Sequence, residues 1–379
     1  MSRNGPLSSA ATGSRSAAMG GLRVTAAICT RGRPQQLARA LESLRRQRVP
    51  PSEVLVVDNA PVDDAGERVV ARVCPAARYV VEPIAGLDFA RNRALAEATG
   101  DVVAFLDDDA VASPGWVAAI QAAFERLPAL GVCTGRVEPL AVETAGQRLF
   151  EANGGYSRGG RRIHLPRDAR CRLHGLPAPA IAWALSVGNG ANLAVRRDLA
   201  RRLGGFDEAL DLGDVLPGGG DLDMIWRMLQ AGHELVYEPE ALAWHEHRHG
   251  VSEAIEQIVG HQRALLAFLT KSVREASGRT RVEVLAFLCW RLLKPGVRLA
   301  ARGIGRDPLP MRALLRMWRE CWAGLTAYET ARRTAARRLL EHSRPCPAVT
   351  PIGAAAAGPA QASRTGVAAE QRAGTAKEM

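Results

Sequence analysis

The alternation of short apolar runs with helical stretches between Leu22 and about Gly135 constrains this chain most. Leu22–Cys29, Val54–Val57, Arg78–Val81 and Val102–Leu106 read as strands. Between them, Pro34–Arg46, Ala65–Val73 and Asp88–Ala98 carry apolar residues at helical spacing, as Leu37, Ala40, Leu41 and Leu44 do in the first. Strands that alternate with helices imply a parallel sheet with crossover connections, in which ligands collect beyond the carboxyl ends of the strands. Thr30, Asp58 and Asp107 follow three such runs, so the pattern predicts that they meet at one rim.

The fourth run ends in Asp107-Asp108-Asp109, and Ser113-Pro114-Gly115-Trp116 then starts a helix. Three consecutive carboxylates repel one another, and a divalent cation with its bridged phosphates is the usual compensation. A solvated surface run is the plain alternative. The turn after the first run, Thr30-Arg31-Gly32-Arg33-Pro34, lacks the glycine fingerprint of dinucleotide-binding folds and the Gly-Lys-Ser/Thr of phosphate-binding loops. A nicotinamide or flavin reading therefore loses its main support.

Other features bound the class. At 379 residues the chain holds one large core, or one core with a smaller module. The formal charge is +11, and only Lys271, Lys294 and Lys377 are lysines, so the excess is arginine. Such a charge permits anionic partners without choosing among them; no motif points to specific nucleic acid. The seven cysteines are scattered without a Cys-x-x-Cys pair, which fits buried thiols in a reducing cytosol. Residues 1–20 and 344–379, poor in aromatics and rich in Ala, Gly, Ser, Thr and Pro, read as disordered tails, and the start lacks the apolar core of a signal peptide. No run of about twenty apolar residues offers a membrane span.

Four later segments add polar chemistry. Ala90-Arg91-Asn92-Arg93 precedes the acidic strand, and either arginine there could neutralise phosphate. Gly188-Asn189-Gly190-Ala191-Asn192 allows close backbone approach to a hydroxyl-rich ligand, or is a plain turn. Pro217-Gly218-Gly219-Gly220 leads into a helix whose first turn carries Asp221 and Asp223; these either favour the helix dipole or present a general base. In Trp244-His245-Glu246-His247-Arg248-His249 a continuing strand would put three histidines on one face, and one of them could complete a metal site with Asp109.

In this order the landmarks resemble the family 2 nucleotide-sugar glycosyltransferases of the GT-A fold, over roughly residues 22–250. The matching segments are Thr30–Pro34, Val57-Asp58-Asn59, Ala90-Arg91-Asn92, Phe105–Asp109, Gly190-Ala191-Asn192, Gly204-Gly205-Phe206-Asp207, Gly220–Asp223 and Trp244-His245. The resemblance implies an α/β fold with a mostly parallel central sheet flanked by helices. It divides the chain into a nucleotide-binding half (21–135), an acceptor half (136–250) and an Arg-rich helical extension (251–343).

It also implies roles. Thr30, Arg33, Asp58, Arg91, Asn92, Asp107, Asp108 and Asn192 would contact the nucleotide sugar, with Asp58 on the base, expected to be uracil. Asp109, Asp107 and His245 would hold Mg²⁺ or Mn²⁺. Asp221 would deprotonate the hydroxyl acceptor, a glycan, a small molecule or a lipid-linked one, in a single inverting displacement. The family often has Glu just before this base, where Gly220 stands here. Competing readings are a sugar-nucleotide-forming nucleotidyltransferase, which lacks its signature near Thr30, and a degenerate nucleotide-sugar-binding protein, which Asp109, Asp221 and His245 argue against. The expected location is the cytoplasm, with the helical extension packing on the rest of the chain, oligomerising, or lying on the inner face of the membrane.

Overall fold

A computed structural model describes residues 21–343 except 167–171, 174–175, 178 and 214. The two expected tails lie outside the described residues. The first half follows the alternation closely: β1 (Val24–Thr30), α1 (Pro34–Arg45), β2 (Glu53–Asn59), α2 (Ala65–Val73), β3 (Arg78–Glu82), α3 (Leu87–Glu97) and β4 (Val102–Leu106). Then come β5 (Ala110–Ala112), α4 (Trp116–Arg126), β6 (Leu130–Pro139), α5 (Ala145–Ala152) and β7 (Ile163–Leu165). A two-residue pair, β8 (Arg172–Leu173) and β9 (Leu176–Pro177), precedes α6 (Ala180–Val187), β10 (Asn192–Arg196), α7 (Arg197–Arg202), α8 (Gly220–Gln230) and β11 (Glu234–His245). Three long helices follow: α9 (Val251–Glu275), α10 (Gly278–Gly303) and α11 (Met311–Ser343).

Local chemistry accounts for these elements. Pro34 opens α1, where its missing N–H has no helical partner to lose, and Leu37, Ala40, Leu41 and Leu44 form the buried stripe. Along β1, Ala26 and Ile28 join the core under α1, α2 and α4, while Ala27 joins the opposite core under α3 and α8. Both faces of the sheet are therefore covered. Each fully buried Leu, such as Leu41 or Leu55, contributes roughly 1.5–3 kcal/mol.

The main sheet has nine strands in the order β3-β2-β1-β4-β10-β6-β11-β5, with β7 also on β11. The half from β3 to β4 is parallel, and β10 runs antiparallel between β4 and β6. Thr30 lies beside Asp58 in this register, and the acidic triplet leaves β4 two strands from β2. Strand β5, although it directly follows the triplet, pairs at the far side of the sheet with the end of β11, Ala110 opposite His245. The triplet is thus a bridge across the carboxyl edge. It brings the start of one sequence motif to the end of another 136 positions later.

Candidate active site

The bridge lines a cleft of about 1040 Å³, large enough for a nucleotide and a second ligand. Asp107, Asp108 and Asp109 form one wall with Thr30, Arg33 and His245; Asn189, Gly190 and Asp221 stand on another. Helix α9 supplies His261 and Gln262.

The three carboxylates are not equivalent. Asp108 is buried, accepting the Thr30 hydroxyl at 2.8 Å and Arg33 Nη1 at 3.0 Å. The same Arg33 nitrogen reaches Asp109 at 3.1 Å, so one guanidinium clamps two acids. Asp109 lies 3.2 Å from His245 Nε2. Burial works against its charge, but His245 and Arg33 outweigh it and hold the carboxyl down at about 2. Among the described residues Asp107 has no such partner; burial, then repulsion from Asp109, pushes it up to about 6.

Oxygens of Asp107 and Asp109 and a nitrogen of His245 lie within 4.8 Å of one another. Two hard carboxylates and one imidazole suit Mg²⁺ or Mn²⁺. The surroundings of His245 strengthen the fit. Its Nδ1 is 3.2 Å from His247 Nδ1, and His247 Nε2 is 2.8 Å from Glu151 on α5. With His247 donating from Nε2 to Glu151, its Nδ1 accepts from His245, which leaves His245 Nε2 facing the carboxylates. Such a relay orients a metal-binding imidazole. Tyr156 packs edge-on against both rings, centroids 5.2 and 5.7 Å away. The expected three-histidine face does not form, because β11 ends at His245 and His249 pairs instead with Glu246 at 3.5 Å on the surface.

Asp221 and Asp223, two residues apart on α8, point to different surroundings. Asp221 lines the cleft. Asp223 is fully buried between Arg227, at 2.7 Å, and Lys271 of α9, at 2.5 Å. It joins helices and does not face a ligand.

Several residues expected to touch the nucleotide sugar are engaged within the protein. Asn192 is buried; its amide donates to the carbonyls of Arg136 and Ala241 and accepts from Trp116 Nε1. Asn92 donates to Glu208 and to the Phe206 carbonyl and accepts the Phe206 N–H, pinning the turn at Gly205 (φ 77°). Neither belongs to the cleft wall: both side chains hold the protein's own backbone and side chains together. Asp58 is buried at the rim beneath α2, with Oδ2 accepting the Tyr79 hydroxyl at 2.8 Å and Oδ1 without a hydrogen-bond partner among the described residues. Burial raises its carboxyl above the ordinary value; its neighbour Asn59 is the residue that lines the cleft. Arg91 does line it, but Asp88 at 3.0 Å and Asp211 at 3.2 Å already neutralise the charge.

That arginine reveals what sequence reading missed. Asp211, at φ 51°, accepts the Gly220 N–H at 3.0 Å as well as Arg91, tying α3 to the first turn of α8. Asp88 lies against Gly220 so closely that a Cβ there would come within 1.8 Å of its carboxylate. Gly220 is thus a steric requirement of Asp88. Nothing in the local sequence flags Asp88 or Asp211, since each acts across more than 100 positions or an irregular loop.

Comparison with known proteins bears on the family and the fold. The family model for glycosyl transferase family 2 matches residues 25–171. The succinoglycan biosynthesis protein ExoM of Rhizobium meliloti (strain 1021) is 30% identical over 275 residues, 70% of this chain and 76% of that protein. The chain belongs to glycosyl transferase family 2. A pre-mycofactocin glycosyltransferase of Mycobacterium tuberculosis is 27% identical over 299 residues, 73% of this chain; the match spans 58% of that protein's length. Among solved structures, the mannosyltransferase PcManGT from Pyrobaculum calidifontis, in complex with GDP-Man and Mn²⁺, superposes with a TM-score of 0.51 at 20% identity, over 86% of this chain and 89% of that one. Residues 1–349 of TarS from S. aureus give 0.50 at 15% identity, over 83% and 92%. These likenesses carry the fold: a GT-A-like mixed sheet flanked by helices, with a C-terminal helical region.

Proposed function

We propose that this family 2 chain transfers a sugar from a nucleoside-diphosphate donor, UDP-linked, to an acceptor hydroxyl with inversion at the anomeric carbon. The observation that carries this reading is the convergence of Asp107, Asp109 and His245 on the cleft that Asp221 also lines. Those three residues would hold Mg²⁺ or Mn²⁺, which when bound supplies Lewis-acid stabilisation of the leaving diphosphate. Arg33, clamped to the triplet and partly exposed, is placed to add charge to the same phosphates. Asp221 takes the proton from the acceptor oxygen as that oxygen attacks; a single displacement from the face opposite the leaving diphosphate inverts the centre. The neighbour's GDP-Man makes guanosine the base to test against uridine.

The acceptor is read as lipid-linked and met at a membrane surface. Among the described residues no helix is long and apolar enough to cross a membrane. Yet α10 exposes Val282, Leu285, Leu293 and Val297, whose positions fall on one side of a helix, with Trp290 beside them and Trp318 of α11 against Gly296. Exposed apolar and tryptophan side chains interleaved with arginine suit an interfacial helix.

The test is a screen of UDP- and GDP-sugars for hydrolysis and transfer, with and without Mn²⁺, by the full chain. Metal-dependent release of nucleoside diphosphate supports the reading; no turnover and no binding with any donor defeats it. Flotation with anionic vesicles examines the surface: Leu293→Glu should lower recovery several-fold, and unchanged recovery removes the membrane from the proposal.

A further inference from the structure

A second cavity, about 300 Å³, opens beside the cleft and shares Arg158, Leu185 and Gln262 with it. Its other polar walls are Asn153, Arg291, Lys294 and Arg298, and none of the described residues lining it is acidic. Among the described residues only Arg298 of these has a carboxylate within ion-pair distance, Asp307, at 2.6 and 2.9 Å. Arg291 gives one nitrogen to the neutral Gln262 at 3.0 Å, while its Nε is buried with no hydrogen-bond partner among the described residues. Arg158 donates only to backbone carbonyls, those of Gly154, Gly155, Ser157 and Ser186. Lys294 has no hydrogen bond or ion pair among the described residues.

Burial and the neighbouring Arg291 and Arg298 push the Lys294 ammonium down to about 8. Burial and Arg298 likewise hold Arg291 down at about 10. The two therefore lie close enough to repel. Three cations without an ion-paired carboxylate among the described residues, around a partly enclosed cavity, call for a counter-ion of more than one charge. A single carboxylate would leave most of the repulsion in place. Phosphate oxygens also match guanidinium geometry, two at a time. Pro295 in α10 contributes to the same wall. The acidic triplet lines only the main cleft, so the second cavity belongs to the side away from the metal-binding residues.

We infer that Arg158, Arg291, Lys294 and Arg298 form a subsite for a phosphate or diphosphate group, and that this group belongs to the acceptor. The second half of the statement rests on the glycosyl-transfer reading; the first does not. A lipid-linked diphosphate, an anionic lipid headgroup and a soluble phosphate ester share this chemistry.

Amine labelling of the full chain reads the site without turnover. Lys294 should react with an acylating reagent with a midpoint near pH 8, while Lys271, buried among carboxylates, stays slow. Millimolar pyrophosphate, added in chelator, should slow Lys294 labelling about five-fold or more and raise its midpoint. Arg291→Gln should weaken that protection about ten-fold, the value of one charge-assisted contact, and leave Mn²⁺-dependent nucleoside-diphosphate binding within about two-fold. If that variant does not fold, Lys294→Gln with calorimetric titration of pyrophosphate gives the same comparison. Protection by phosphatidylglycerol vesicles but not by pyrophosphate assigns the anion to a lipid headgroup. Protection by neither overturns the subsite. Because no step requires transfer, failure here leaves the proposed reaction standing, and failure of the reaction leaves the subsite standing.

Discussion

The two charged clusters that border the cleft are built in opposite ways. On the sheet's edge, two of the three acids are compensated within the protein: Arg33 clamps Asp108 and Asp109, and His245 pairs with Asp109. On the helical side, Arg158, Arg291 and Lys294 gather around a cavity with no acidic residue among its described lining. The acid cluster is largely preorganised, with only Asp107 short of a partner. The basic cluster is left for a ligand to complete. A site that must fix a diphosphate at a reacting bond gains from rigid, paired groups. A site that recognises one group at a distance from the bond can leave its charge open until the ligand arrives.

Five changes would break or sharpen that contrast. Asp221→Asn should lower transfer by about 10²–10⁴-fold, with nucleoside-diphosphate binding retained within about two-fold; steady-state rates and calorimetry check both, and lost binding would remove Asp221 from its role as base. Asp109→Ala should weaken Mn²⁺ binding by about 10²-fold, read by metal titration of the purified protein. Gly220→Ala forces Asp88 to move and should lower stability by about 1–3 kcal/mol in urea unfolding.

The smallest change is the sharpest comparison. Arg33→Gln leaves two carboxylates facing each other and should destabilise by about 1–2 kcal/mol. Lys294→Met removes a repelled charge and should stabilise by up to about 1 kcal/mol at neutral pH. The sign follows from linkage. Lys294 sits at about 8 folded and ordinarily near 10.5, so the unfolded chain holds more protons between those values. Stability relative to Lys294→Met should thus rise as pH climbs from about 8 to 10.5. If instead Lys294→Met destabilises at neutral pH, the basic cluster is compensated after all.

Much of the edge was legible from the chain. The strand–helix alternation placed β1 to β4 within a few residues, because periodicity reports burial inside one element. The rim position of the acidic triplet followed from the same rule. The inward turn of Asn92 and Asn192 was not legible: a polar residue beside a predicted rim reads the same whether it faces a ligand or three backbone groups. The predicted strand through His249 failed because alternation persists in sequence after the pairing partner, β5, has ended at three residues.

By itself the sequence determined the parallel half-sheet, the acid turn beyond β4 and the helix that carries Asp221. Only the tertiary structure decided that Asp109 meets His245, that Asp88 occupies the space beside Gly220, and that α10 sets Arg291 and Lys294 beside Arg158. Local pattern fixes which face of an element is buried. The strand order and helix packing fix which distant charges share a low-dielectric space, and there their interaction is strongest.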